Sequence, residues 1–174
     1  WTDGMFTHWV IETEHRVELN QFLSRWVKGN MTGYTGMMNF ETIGGKIIET
    51  HLRFADQWCD LYGVRWFDAL VTLYDKGIWA LPDELQQQGY SVPLFAKHGL
   101  VPQHPSEDLQ NAIRAHPEVS SLQITFYPSK AGSAHPMPPG GFRLGIINCW
   151  DLDAGLRARR KLAEGFPDVE LMIP

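Results

Sequence analysis

Gly36-Met37-Met38-Asn39-Phe40-Glu41-Thr42-Ile43-Gly44-Gly45-Lys46-Ile47-Ile48-Glu49-Thr50-His51-Leu52-Arg53 is the stretch whose reading decides the fold. Two short runs of alternating apolar and polar residues meet at Gly44-Gly45, and each carries an acidic residue near its middle. Gly-Gly between β-forming residues signals a hairpin, because a tight turn needs positive φ angles that glycine adopts without strain. With a three-residue connection, Gly44-Gly45-Lys46, Ile43 faces Ile47 and Glu41 faces Glu49. Alternation then gathers Asn39, Glu41, Glu49, His51 and Arg53 on one face, and Met38, Phe40, Ile48 and Leu52 on a core-facing one. A two-residue turn shifts that register by one and sends the two carboxylates to opposite faces.

Two carboxylates directly opposite each other across strands repel, at a cost of up to about 1 kcal/mol. A divalent cation removes the repulsion, and carboxylates around Mg²⁺ beside substrate phosphates are a common arrangement. Arg53, further along the same face, is placed to neutralise a phosphoryl group. The plain alternative is a solvated sheet face, since polar alternation is the default for a half-exposed antiparallel strand.

Residues Gly33-Tyr34-Thr35-Gly36-Met37-Met38-Asn39-Phe40-Glu41, followed by Ile47-Ile48-Glu49-Thr50-His51-Leu52-Arg53, resemble the C-terminal lobe of ATP-grasp enzymes. In that family a glycine-containing lead-in precedes a strand with an acidic residue, and the return strand carries acidic-x-Asn-x-Arg. The resemblance implies that Glu41 and Glu49 are ligands of Mg²⁺-ATP and that Arg53 lies near the transferred phosphate, with Asn39 and His51 assisting. His51 stands where the family has asparagine, although a neutral imidazole can also bind a metal or a phosphate oxygen. The implied chemistry is activation of a small-molecule carboxylate as an acyl phosphate, which an amine or similar nucleophile then attacks.

ATP-grasp enzymes hold the nucleotide between two lobes, and the earlier lobe supplies lysines and a glycine-rich loop. Neither G-x-x-x-x-G-K-[ST] nor G-x-G-x-x-G occurs in this chain. The chain begins at Trp1 rather than methionine. The expectation is therefore a C-terminal portion of a longer ligase, partnered by a missing N-terminal lobe, with half an ATP site and no turnover of its own.

Composition fits a soluble globular body. Across 174 residues, 44% are hydrophobic and 12% aromatic, ample for a core and unlike disorder. No run approaches the ~18 apolar residues of a membrane span, and Trp1 to Val10 is too polar for a signal peptide. A net charge of −5 argues against nucleic acid, which is bound by basic patches. Cys59 and Cys149 form no C-x-x-C, so they read as free thiols in a reducing cytosol and a cytoplasmic protein is expected.

Outward from the hairpin, Met5 to Glu12 reads as a strand. Leu19, Phe22, Leu23, Trp26 and Val27 follow helical spacing, with Gly29 as the stop. Trp66, Phe67, Leu70, Val71 and Tyr74 make a second helical stripe that ends at Gly77. Composition shifts at Ala80-Leu81-Pro82-Asp83, which sets a boundary between a part over 1–80 and a smaller one over 81–174. In the latter, Ser91 to Lys97, Ser121 to Tyr127 and Phe142 to Cys149 read as strands. Ser106 caps a short helix that ends before Pro117, and Asp151 or Asp153 caps a last one that stops at Gly165. The result is β-α-β-β-α, similar to part of a ferredoxin-like split unit. The fold class is α+β, mainly antiparallel sheet with packed helices.

Other residues read as structural. His98 and His104 are surface histidines in a Pro-rich connection, and His8 and His15 bracket a strand end within reach of the hairpin face. Ser133-Ala134-His135 lacks the G-x-S-x-G context of a serine hydrolase. Arg157, Arg159, Arg160 and Lys161 form one solvated helix face. Pro128 to Gly141 is a loop, and Pro138-Pro139-Gly140-Gly141 within it is either a flap or a plain surface segment. Asp56 and Asp60 are placed to pair with Arg53 and hold it. Two other functions stay open: a non-catalytic binding or assembly module, and a metal-dependent hydrolase that uses Glu41, Glu49 and His51 without ATP. A homo-oligomer also stays open.

Overall fold

The computed structural model describes residues 6–14, 16–81, 87–99, 102–128 and 141–173. The fold is α+β with antiparallel strand pairing. Contacts divide the chain into two compact units. One holds the residues up to Ile11 with those from Gln87 onward, and the other is Glu12–Gln86.

The first unit is built on a sheet of β1 (Trp9–Ile11), β4 (Gly89–Lys97), β5 (Val119–Ile124), β6 (Gly141–Cys149) and β7 (Leu171–Met172). Its order is β1-β4-β6-β5, and β7 also pairs with β4. β4 is the axis. One edge meets β6 from Tyr90 to Lys97; the other is shared by β1, with Trp9 opposite Ser91, and β7, with Met172 opposite Phe95. Pro93 falls between those two partners, where a residue without an N–H breaks no ladder. Helices α3 (Glu107–Arg114) and α4 (Leu152–Ala163) pack on this sheet. The order β4-α3-β5-β6-α4-β7 is that of a split βαβ unit. The expected strand near the N-terminus exists, but it pairs with β4 and so belongs to this unit rather than with the residues that follow it.

The core of this unit is continuous. Leu94, Ala96, Leu122, Leu144 and Ile147 from the sheet meet Ile113 of α3 and Ala158 and Leu162 of α4. Both helix starts are capped as the sequence suggests: the Ser106 side chain accepts from Leu109 N–H, and Asp151 Oδ1 accepts from Ala154 N–H at 2.7 Å. Gly155 lets α4 approach closely, since a Cβ there would lie 2.3 Å from Cys149 Sγ.

The second unit holds α1 (Val17–Asn30), the hairpin of β2 (Asn39–Ile43) and β3 (Lys46–His51), a 3-10 segment (Asp56–Tyr62) and α2 (Trp66–Lys76). The α1 stripe is as expected: Leu19, Phe22, Leu23, Trp26 and Val27 are all half-buried. Gly29 does not stop the helix, which runs one residue further and closes when Met31 N–H donates to Val27 O. Gly77 does end α2, in the left-handed conformation at φ 70°.

The inner face of α2 differs from expectation. Trp66, Ala69 and Leu73 are buried, whereas Phe67, Val71 and Tyr74 lie on the outer side. Trp66 sets the rotation. Its ring lies against Phe54 and Tyr62, at 4.9 and 5.0 Å, and that contact turns Phe67 outward. Leu61 adds to this small core. No helix among the described residues is long and apolar enough to cross a membrane.

Candidate metal centre

The hairpin is joined by two residues, Gly44 and Gly45, both at positive φ (56° and 76°), as a tight hairpin turn requires. Ile43 therefore faces Lys46 and Thr42 faces Ile47, which corrects the three-residue connection. The same register, continued, would place Glu41 against Ile48. A β-bulge between Thr42 and Glu41 prevents this, because Ile48 has no counterpart on β2. Beyond the bulge Glu41 stands opposite Glu49, Phe40 opposite Thr50 and Asn39 opposite His51. The carboxylates thus share a face in spite of the shorter turn.

The bulge also rearranges the apolar residues. Phe40, Thr42, Ile47 and Thr50 take the inner side, while Ile48 joins Glu49 on the exposed one. Ile48 and Leu52, both expected to face the core, are each 57% exposed. Phe40 keeps its expected place and meets Trp26 of α1 edge to face at 5.4 Å.

On the outer face His51 Nε2 lies 3.3 Å from Glu49 Oε1 and 3.9 Å from Glu41 Oε1. One ligand atom from each of the three residues falls within 4.8 Å of the others. A first-row ion sits about 2.0–2.2 Å from its ligands, so two donors to one ion lie at most ~4.4 Å apart. Both imidazole–carboxylate distances are already inside that reach. The donors are two carboxylate oxygens and one imidazole nitrogen, a set that suits a divalent cation and leaves coordination positions for other ligands. The imidazole is the more enclosed member, at 26% exposure against 51% for Glu41 and 56% for Glu49.

The remaining expected site residues are arranged differently. Asn39 lies across the ladder from His51. Arg53 lies beyond the end of β3, where its Nη1 donates to Phe54 O at 2.9 Å and stands 3.9 Å from Asp56. The anticipated pairing with Asp56 is therefore present. The lead-in to β2 is held by two tyrosines, Tyr34 and Tyr74, to which the sequence assigned no such role. Tyr34 Oη donates to Met37 O at 2.8 Å, and Met37 N–H donates to Tyr74 Oη at 3.3 Å. Gly36 makes room for this, since a Cβ there would lie 2.7 Å from Tyr34 Oη. Only its position before β2 hinted at such a role; the Tyr74 contact spans 37 residues and left no local signal.

Other singled-out residues are structural. His8 lies edge-on to Tyr90, in the unit that holds β4. His98 stacks on Phe142 and His104 Nε2 is 3.1 Å from Phe126 O. Arg159 departs from its solvated helix face: it is buried, its Nη1 points to Thr7 O at 3.5 Å, and burial lowers its pKa. Cys59 and Cys149 are free thiols, pushed up to about 11 and about 12, chiefly by burial. His15, Ser133-Ala134-His135, residues 129–140 of the Pro-rich loop with its Pro138-Pro139-Gly140 portion, Met5 at the start of the expected first strand, and Pro82-Asp83 at the expected boundary lie outside the described residues.

Compared with protein-family models, curated proteins and solved structures, the chain matches none of them.

Proposed function

We propose that the β2–β3 hairpin is the cation-holding part of a nucleotide site in an ATP-grasp-like ligase. The observation that carries this reading is the direct opposition of Glu41 and Glu49 with His51 beside both. Two facing carboxylates destabilise the ladder by their repulsion, and a cation between them removes that cost. In the family that the sequence resembles, the cation at this place is Mg²⁺, bound together with the phosphates of ATP.

Glu41, Glu49 and His51 would hold the ion, and the ion supplies positive charge against the phosphate oxygens. Arg53, fixed by Asp56 and the Phe54 carbonyl, presents a guanidinium at the open end of β3 for an anionic group. Asn39 offers a neutral amide across the ladder from His51. Tyr34 and Tyr74 position the strand that carries Glu41. The reaction class is transfer of the terminal phosphoryl group of ATP to a carboxylate, releasing ADP. An amine or similar nucleophile then displaces phosphate from the acyl phosphate.

Affinity for a non-hydrolysable ATP analogue should rise with divalent cation in the wild-type chain, and the rise should vanish in Glu49→Gln. An ATP analogue that binds equally with and without cation, or equally well to Glu49→Gln, would sink the proposal.

A second reading, a binding or assembly module, is favoured by the outer face of α2. Phe67, Val71 and Tyr74 are more than half exposed there, with Val64 before the helix at 91% and Ile78 after it at 56%. On that reading nucleotide has no effect, and assembly state is the property that changes with Phe67→Glu.

A further inference from the structure

We infer that His51 makes the hairpin site select first-row transition ions over Mg²⁺. This rests on the reading that Glu41, Glu49 and His51 hold a cation, and it concerns which one.

Mg²⁺ demands oxygen donors and gives up its water reluctantly, whereas imidazole nitrogen favours transition ions. A hairpin presenting only carboxylate and amide oxygens would suit Mg²⁺. This one places Nε2 of His51 3.3 Å from Glu49 Oε1 and 3.9 Å from Glu41 Oε1. The imidazole is also the most enclosed of the three donors, at 26% exposure. A nitrogen donor within reach of two carboxylates favours an ion that accepts both donor types. Mn²⁺ binds such donors least tightly of that series and stands nearest to Mg²⁺ in its octahedral oxygen chemistry, which makes it the stringent probe.

The test is a titration of the chain with Mn²⁺ and with Mg²⁺ at one pH and ionic strength. Mn²⁺ is followed by electron paramagnetic resonance and Mg²⁺ by its competition with Mn²⁺. The wild type is compared with His51→Asn and His51→Gln, and circular dichroism confirms that both variants fold. Carboxylate-only sites can also favour Mn²⁺, so the deciding quantity is the ratio of the two dissociation constants. Kd(Mg²⁺)/Kd(Mn²⁺) should fall by roughly tenfold in both variants, through weaker Mn²⁺ binding with Mg²⁺ binding little changed. Paramagnetic broadening of the His51 ring protons in the wild type is the accompanying signature.

An unchanged ratio in both variants overturns the role of His51 and leaves the carboxylate site standing. Absence of Mn²⁺ binding by the wild type at millimolar concentration overturns the site itself.

Discussion

Glu41 and Glu49 face each other across a hairpin whose two-residue turn, followed regularly, would have paired Glu41 with Ile48. A single unpaired residue on β3 restores the opposition. The carboxylates are thereby held together at a place where side-chain alternation alone would part them. His51, one pleat further along β3, turns the pair into a three-donor cluster.

Repulsion between the two carboxylates gives opposite signs with and without metal. Without cation, Glu41→Gln should leave the chain as stable as wild type or more stable, by a few tenths up to about 1 kcal/mol. With millimolar Mn²⁺ or Mg²⁺ the order should reverse, because only the wild type gains from binding. Thermal melts at low ionic strength, with and without cation, check both signs.

The bulge makes a further prediction about chain length. Deleting Ile48 removes the unpaired residue, so Thr42 still faces Ile47 and Glu41 still faces Glu49. Deleting Thr42 instead takes the carboxylates out of register. Cross-strand nuclear Overhauser contacts between the strands should therefore keep the native pairing in the first variant and lose it in the second.

How much of this was legible in sequence varies with the range of the contact. The hairpin announced itself through Gly44-Gly45, and the helix starts through Ser106 and Asp151, because those signals act within a few residues. Glu41 and Glu49 were correctly placed on one face, but for a reason the structure replaces. A bulge depends on strand pairing and has no fixed local signature, so Ile48 looked like core. The rotation of α2 was equally hidden, since apolar residues occupy both sides of that helix and only the contact of Trp66 with Phe54 and Tyr62 chooses between them. The pairing of Trp9 with Ser91 joins residues far apart in the chain, beyond any local pattern.

Two glycines with open space around them separate backbone conformation from packing. A Cβ at either Gly29 or Gly45 meets nothing within 4 Å. Gly45 has a φ of 76°, so Gly45→Ala should destabilise by about 1–2 kcal/mol. Gly29 lies within α1, where Gly29→Ala should stabilise by about 0.5–1 kcal/mol. Denaturant midpoints of the two variants should move in opposite directions.

Alkaline stability should report Cys149. Burial pushes its thiol from 9.0 up to about 12, so the unfolded chain loses this proton first. Between those values the folded state binds more protons, and stability falls as pH rises, by at most about 1.4 kcal/mol per pH unit. Below pH 9 the contribution is fully present. Cys149→Ala should flatten this limb relative to wild type, measured by urea melts from pH 8 to 11.

The most direct test of the proposed site is a cation titration of the wild-type chain, with an ATP analogue present, followed residue by residue by NMR. Shifts or paramagnetic broadening should cluster on residues 39–53 and disappear in both Glu41→Gln and Glu49→Gln. Signals in that segment that do not respond to millimolar cation, or that respond equally in the two variants, would contradict the account.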